Sequence, residues 1–253
     1  MRTRVRSAIR GLSVFLLGAA LAAFAADPGT VSEAEIEKIV AGVATSDTER
    51  RTIQRRLGGW RELQGSAKNK ALPEPDKLKL VNDFVQETPF FCDPVMWCAE
   101  DFWSRPVELF ANDGGDCEDF SIAKFFTLKA LGVPEDKLRI VYAVYQKPGF
   151  TGAHMVLAYY PSPDAEPFIL DNINQTVQPA SNRPDLVPVF SFNSQGLWGA
   201  KEAKGRGQPG EQYRAWSDHW KRVQSGEAVR SVSPEQRKSA ECQAIIQRSP
   251  WCR

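Results

Sequence analysis

Apolar residues recur at helical spacing through the first half of the chain. Ile36 and Val40 follow the segment Ser32–Glu35, whose serine and glutamate form a capping box and predict the start of a helix. The same spacing predicts three further helices, over residues 52–63, 78–84 and 118–131. Apolar residues line much of the last of these segments, which predicts a buried helix.

The periodicity changes in the second half of the chain. Three segments are rich in β-branched and aromatic residues, at positions 139–145, 154–160 and 167–172. Turn residues at 148–149 and 161–164 separate them, which predicts successive antiparallel strands. A final helix is predicted near residues 216–223. Helices followed by an antiparallel sheet indicate an α+β domain.

The N-terminus has the pattern of an export signal. Four arginines precede an apolar run over residues 12–24, and Ala23 and Ala25 predict cleavage before Ala26. An uncleaved anchor is the alternative, but the run is shorter than the roughly 20 residues that a bilayer requires. We therefore expect a signal peptide at 1–25, a domain at 26–223 and a polar tail at 224–253. The protein is expected to be periplasmic.

Charge and composition narrow the class of protein. Of 253 residues, 25% are charged and 42% hydrophobic, which is typical of a globular chain. Removing four of the 32 basic residues with the signal peptide, and none of the 31 acidic ones, leaves a formal charge of −3. No basic patch stands out, so nucleic acid is not an expected partner.

The five cysteines suggest a division between structural and reactive thiols. Cys92 and Cys98 lie close together in sequence, as do Cys242 and Cys252. Local pairing of each couple is the simplest connectivity, although four cysteines allow three pairings. In that arrangement Cys117 stays free.

Cys117 follows two glycines and begins the helix predicted around residues 118–131. Unpaired N–H groups and the helix dipole at such a position favour a thiolate and could stabilise an oxyanion. The plainer interpretation is a small buried residue at a helix start.

A thiol nucleophile requires a base, and the chain has two histidines. His154 is predicted to begin a strand and Asp171 to end the next one, so a hairpin would bring them to the same end. Asp171 could then orient His154 toward Cys117, in the manner of a catalytic triad. A strand-end histidine and a turn-forming acid are the structural alternatives. His219 is a weaker candidate, because its aromatic neighbours on a helix favour a packing role.

Three acids, Asp116, Glu118 and Asp119, surround Cys117 in sequence. Unpaired, they would raise the pKa of the thiol. Capping of the helix N-terminus is one explanation. A bound cation with oxygen ligands is the other, and Ca²⁺ suits such ligands better than zinc does.

These segments together resemble the bacterial transglutaminase-like cysteine proteinases over roughly residues 31–223. The similar blocks are DFW at 101–103, PVE at 106–108, GGDCEDF at 114–120, AHMVLAYY at 153–160, LDN at 170–172, SFN at 191–193 and GLW at 196–198. The resemblance implies a papain/transglutaminase-like cysteine protease fold. Cys92, Cys98 and the cysteine-bearing tail depart from the family pattern.

The resemblance implies Cys117 as nucleophile, His154 as base and Asp171 as its orienting partner. It also implies Ca²⁺ binding through Asp116 and Glu118, with Asp119 as a less certain ligand. The expected activity is periplasmic cleavage of the N-terminal region of a large outer-membrane-anchored adhesin, which releases the adhesin and disperses biofilm. The other expected partner is the periplasmic domain of an inner-membrane cyclic di-GMP receptor.

Two other functions fit the same residues. A transglutaminase-like site could transfer an acyl group to an amine instead of water. A non-catalytic module could bind a membrane receptor, although such a module has no need of the three triad residues.

Overall fold

The computed structural model describes residues 29–200 and 208–249. The predicted signal peptide and Cys252 lie outside these residues. None of the helices within the described ranges is both long and apolar enough to cross a bilayer.

Seven helices precede the sheet and four follow it in the described part of the chain. The first seven are α1 (Glu33–Val43), α2 (Asp47–Gly65), α3 (Ala67–Lys70), α4 (Glu74–Gln86), α5 (Asp93–Trp97), α6 (Pro106–Asn112) and α7 (Cys117–Ala130). The last four are α8 (Pro209–Gln212), α9 (Arg214–Ser225), α10 (Pro234–Lys238) and α11 (Ala240–Arg248). The predicted capping box is present, because the Ser32 and Glu35 side chains and backbones exchange hydrogen bonds.

The strands form one antiparallel sheet of six, in the order β4-β3-β2-β1-β5-β6. They are β1 (Leu138–Lys147), β2 (Phe150–Tyr159), β3 (Phe168–Leu170), β4 (Gln178–Pro179), β5 (Leu186–Phe192) and β6 (Leu197–Gly199). The prediction of an α+β fold with helices first and an antiparallel sheet after them is confirmed.

One predicted strand boundary was wrong, and it concerns a candidate site residue. His154 lies within β2, which begins four residues earlier at Phe150. Gly149 adopts a left-handed φ of 78° in the turn between β1 and β2, so the two strands pair right up to that turn. The exposed residues before His154 have no apolar alternation, and the backbone pairing of β1 alone extends the strand.

Helix α7 and strand β2 form the centre of the main core. Phe120, Ile122, Phe125 and Phe126 on α7 are buried and pack in one cluster with residues of both the helical layer and β2. Because α7 is surrounded on most sides, its burial pattern is almost continuous and not confined to one stripe. The fold therefore places the N-terminus of α7 against strand β2.

The predicted disulfides were wrong in their pairing. Cys98 is bonded to Cys242, and Cys92 is also disulfide-bonded. Cys98 ends the short helix α5, and α11 of the tail packs against that helix. Nearness in sequence does not decide the pairing, because the tail folds back across 144 residues of chain.

Candidate active site

Two glycines allow the backbone to approach the start of α7 closely. A Cβ atom on Gly115 would lie 2.5 Å from Asp119 Oδ2, and one on Gly114 would lie 2.7 Å from the Phe91 ring. The Phe91 amide donates to the Gly115 carbonyl at 2.8 Å. The glycines therefore serve close packing, which brings residues 90–91 alongside the segment that precedes Cys117.

Cys117 is the first residue of α7 and the one free cysteine among the described residues. Its thiol donates to Glu118 Oε2 at 3.0 Å and accepts a hydrogen bond from the backbone amide of Met155. Burial, together with the charges of Glu118 and Asp116, raises the pKa of Cys117 well above its usual value. Burial and these two charges thus disfavour the Cys117 thiolate, which the helix dipole favours.

His154 and Asp171 meet as the hairpin argument predicted. His154 Nε2 lies 2.7 Å from Asp171 Oδ1, and both side chains are buried. Strands β2 and β3 pair Leu157 with Leu170, so the residues that follow β3 pass beside the middle of β2. The Met155 amide, next to His154 in the chain, contacts the Cys117 thiol. His154 and Asp171 are thus in direct contact, and the Cys117 thiol is bound by the residue next to His154.

Asp171 is held as a carboxylate. Burial alone would raise its pKa, but the hydrogen bond and charge of His154, the Ile173 amide and the charge of Arg183 outweigh burial and lower it below the usual range. The Ile173 amide donates to the same Oδ1 atom at 3.0 Å. Because Nε2 of His154 is engaged with Asp171, Nδ1 is the ring nitrogen left to act elsewhere.

Arg183, which no sequence pattern indicated, also binds Asp171. Its guanidinium Nη2 lies 2.6 Å from Asp171 Oδ2, and the residue is only 3% exposed. Asp185 binds the same guanidinium through both carboxylate oxygens, at 2.8–3.3 Å. The sequence Arg183-Pro184-Asp185 carries no signal of this contact, because β4 and a short 3-10 turn separate it from β3.

A second buried basic side chain, Lys124, interacts electrostatically with the same carboxylate. Lys124 lies on α7 and is 1% exposed. Burial lowers its pKa to about 7, while the charge of Asp171 opposes that shift. A lysine in a run of apolar helix residues gives no indication in sequence of which charge it will face.

The acidic residues near Cys117 form a larger cluster than the sequence predicted. Asp93 and Asp101 join Asp116, Glu118 and Asp119, in overlapping groups whose ligand atoms lie within 4.8 Å of one another. Burial and mutual repulsion raise the pKa of Asp93 to about 10 and that of Asp119 to about 8. Burial and neighbouring acids also raise the pKa of Asp116 and Asp101.

The members of this cluster differ in how their oxygens are used. Asp119 accepts from the Ser104 amide at 2.7 Å and from the Asp116 amide at 3.3 Å, so it caps α7. By contrast, Oδ1 of Asp93 and Oδ1 of Asp116 are buried with no hydrogen-bond partner. Buried carboxylate oxygens without a donor are the groups that a bound cation satisfies. Asp119 is thus used in capping, whereas Asp93 and Asp116 each have an oxygen that no donor in the described residues occupies.

Comparison with known proteins places this geometry in a family. Residues 64–189 match the family described as bacterial transglutaminase-like cysteine proteinase, BTLCP. The solved structure of Legionella pneumophila LapG treated with EGTA is 38% identical, with 77% of this chain and 99% of that chain covered and a TM-score of 0.64. The calcium-bound form of Legionella pneumophila LapG is 36% identical, with 86% and 99% covered and a TM-score of 0.57. No curated protein sequence gave a match.

The chain belongs to the bacterial transglutaminase-like cysteine proteinases. Both LapG structures share its fold, one of them with calcium bound. The matched range of the cysteine proteinase family contains the three triad candidates and all five acids of the cluster. It leaves out α1, β6 and helices α8 to α11.

His219 lies outside this range and has the packing role that its neighbours indicated. It is 2% exposed, and its Nδ1 lies 3.1 Å from the Trp103 carbonyl. Its ring stacks on Trp216 at 5.5 Å, and burial lowers its pKa to about 4. His219 is therefore a neutral core residue of this proteinase.

Proposed function

We propose that the protein is a calcium-dependent periplasmic endopeptidase of the cysteine proteinase family, with Cys117, His154 and Asp171 as its triad. Its expected substrate is the N-terminal region of a large outer-membrane adhesin, whose release promotes biofilm dispersal. The observation that carries the proposal is the 2.7 Å contact between His154 and Asp171, formed one residue from the amide that binds the Cys117 thiol.

The reaction begins with transfer of the Cys117 thiol proton to His154 Nδ1, while Asp171 stabilises the imidazolium through Nε2. The Cys117 sulfur attacks the scissile carbonyl carbon, and the Cys117 amide at the start of α7 donates to the developing oxyanion. Collapse breaks the peptide C–N bond, and His154 returns its proton to the leaving amine. Water, deprotonated by His154, then hydrolyses the thioester and restores the thiol.

The acidic cluster fits a calcium ion. Asp93, Asp101, Asp116 and Glu118 would hold it, because they offer hard oxygen ligands and include two buried oxygens without donors. Calcium, when bound, supplies the positive charge that offsets these carboxylates and so favours the Cys117 thiolate. Asp119 retains its capping bonds in this arrangement.

Incubation of the mature protein with an N-terminal adhesin fragment tests the proposal. We expect two fragments, which Cys117→Ala abolishes and a calcium chelator prevents. Cleavage that survives Cys117→Ala would refute the mechanism, and cleavage insensitive to the chelator would refute the calcium requirement. Amine-labelled or cross-linked product in place of fragments would instead identify an acyl transferase.

Control by a receptor is a further part of the proposal. The periplasmic domain of an inner-membrane cyclic di-GMP receptor would sequester the protease when the nucleotide is abundant. Co-purification of that domain with the mature protease, and its effect on cleavage of the adhesin fragment, would test this part. Absence of both binding and inhibition would contradict it.

A further inference from the structure

The tail after α9 is ordered against the helical layer. We name residues 226–249 the C-terminal strap. It begins at Gly226, whose φ of 64° turns the chain away from α9. Arg105 donates to the Glu227 carbonyl at 2.9 Å, and Asn112 donates to the Arg230 carbonyl at 2.8 Å. These bonds from both ends of α6 seat the first part of the strap.

The second part of the strap is fastened to α5. Arg237 donates to the Val95 carbonyl at 2.5 Å, and Cys242 forms its disulfide with Cys98 at the end of α5. Cys92, which immediately precedes α5, is disulfide-bonded as well. A five-residue helix has little stability of its own, so these attachments determine where α5 lies.

Arg230 connects the strap to the acidic cluster. Its guanidinium donates to the Trp97 carbonyl at 2.8 Å and lies 4.3 Å from the centre of the Phe102 ring. The Phe102 ring packs on Trp97 at 4.8 Å, and the Phe102 amide donates to Asp93 Oδ2. The strap thus contacts Trp97 and Phe102, and Phe102 both follows Asp101 in the chain and donates its amide to Asp93.

The segment that carries Asp93 and Asp101 requires such support. Their carboxylates lie within 4.8 Å of Glu118, and Asp93 is also close to Asp116 and Asp119. Binding of a cation requires these groups to be ionised, and ionised carboxylates at this separation repel one another, which favours movement of the segment away from α7. Contacts that hold this segment against α7 are therefore needed to keep the ligands together before a cation binds.

We propose that the C-terminal strap is a positioning element for the calcium site, which holds Asp93 and Asp101 against Asp116 and Glu118 so that the ligand set is assembled in advance. This inference rests on the calcium site of the proposed function. Preassembled ligands bind more tightly because less ordering accompanies binding. The strap lies outside residues 64–189, the range that matches the family.

Calcium titration of the full mature protein by isothermal calorimetry tests the strap. The variants are Arg230→Gln and the double variant Cys98→Ser/Cys242→Ser, each compared with wild type. Loss of groups that orient metal ligands typically weakens metal binding about 10–100-fold, and we expect a rise of that size in the calcium Kd. Arg230→Lys keeps the charge but not the planar group, and should restore part of the affinity.

Two control variants separate positioning from general stability. Arg248→Ala alters the strap at an exposed ion pair of 3.5 Å with Glu100 and should leave the Kd unchanged. Leu57→Ala lowers stability from a fully buried site on α2 and should also leave the Kd unchanged while the protein is folded. Circular dichroism and the Tm establish that each variant is folded at the titration temperature.

The outcomes distinguish this inference from the proposed function. A wild-type protein that takes up no calcium overturns the calcium site, and the positioning role with it. Wild-type binding with an unchanged Kd in both strap variants overturns the positioning role alone. A Kd weakened equally by Leu57→Ala also overturns it, because the effect would then follow stability. Should the double variant not fold, Arg230→Gln decides.

Discussion

Arg183 is expected to hold Asp171 in the orientation that His154 requires, and Arg183→Gln removes this support. Asp171 Oδ1 already accepts from His154 and from the Ile173 amide, so Arg183 occupies the other oxygen at 2.6 Å. Without the guanidinium, Oδ2 loses its charged partner in a site where Asp171 is only 1% exposed.

The expected loss of stability follows from the burial of the pair. Removal of one partner from a buried ion pair typically costs about 3–5 kcal/mol, because the other charge stays buried without it. Asp171 keeps its bonds to His154 and Ile173 and remains near Lys124, so we expect a free-energy loss at the lower end, about 3 kcal/mol. Asp185→Asn is the matched control: Asp185 is 29% exposed, and such outer pairs contribute about 1 kcal/mol or less.

The pH dependence has a definite sign. The folded-state pKa of Asp171 lies below its unfolded value, so its stabilisation is present above the unfolded pKa of about 4 and is lost as pH falls. Loss of Arg183 raises the folded pKa of Asp171. The difference in unfolding free energy between wild type and Arg183→Gln should therefore be largest at neutral pH and shrink below about pH 4.

Urea unfolding across this pH range, together with kcat/KM for the adhesin fragment, measures both effects. A misplacement of about 1 Å in a catalytic group can lower the rate about 100-fold, so we expect a fall in kcat/KM of about 10–100-fold, partly restored by Arg183→Lys. Equal unfolding free energies at every pH, with an unchanged kcat/KM, would refute this account of Arg183.

Three other predictions follow from individual groups. In metal-free protein the folded-state pKa of Asp93 is raised to about 10, so its contribution to stability is present below the unfolded-state pKa and is lost as pH rises toward the folded-state pKa. Thermal melting at increasing pH should therefore show a falling Tm, and calcium should reduce this fall. Thr127→Val removes the hydroxyl that accepts a hydrogen bond from the buried Trp60 indole N–H at 2.8 Å. The unfolding free energy measured in urea titrations should fall by about 1–3 kcal/mol, and an unchanged unfolding free energy would contradict this hydrogen bond. His154→Gln should abolish cleavage of the fragment. His219→Gln should lower the Tm but retain cleavage at temperatures where the variant is folded. A His219→Gln variant that is folded but inactive would contradict the choice of His154 as the base.

Local patterns determined much of the architecture. The capping box at Ser32, the apolar run of α7 and the alternation of β1 each depend on neighbours a few residues apart, and such patterns are legible in a single sequence. The meeting of His154 with Asp171 was also accessible, because antiparallel pairing of β2 with the next strand brings the residues after β3 beside the middle of β2. The start of β2 was not, because backbone pairing with β1 extends that strand through residues with no pattern.

Residue types and their spacing thus determined the α+β class, the candidate nucleophile and its histidine and aspartate partners. Tertiary structure alone decided that Arg183 binds Asp171, that Asp93 and Asp101 join the acidic cluster, and that Cys98 pairs with Cys242. In each of these contacts the residues are too far apart in the chain for the repeat of a helix or a strand to relate them. Their formation depends on how helices and sheet pack, and packing is set by the whole core and not by the residues that finally touch.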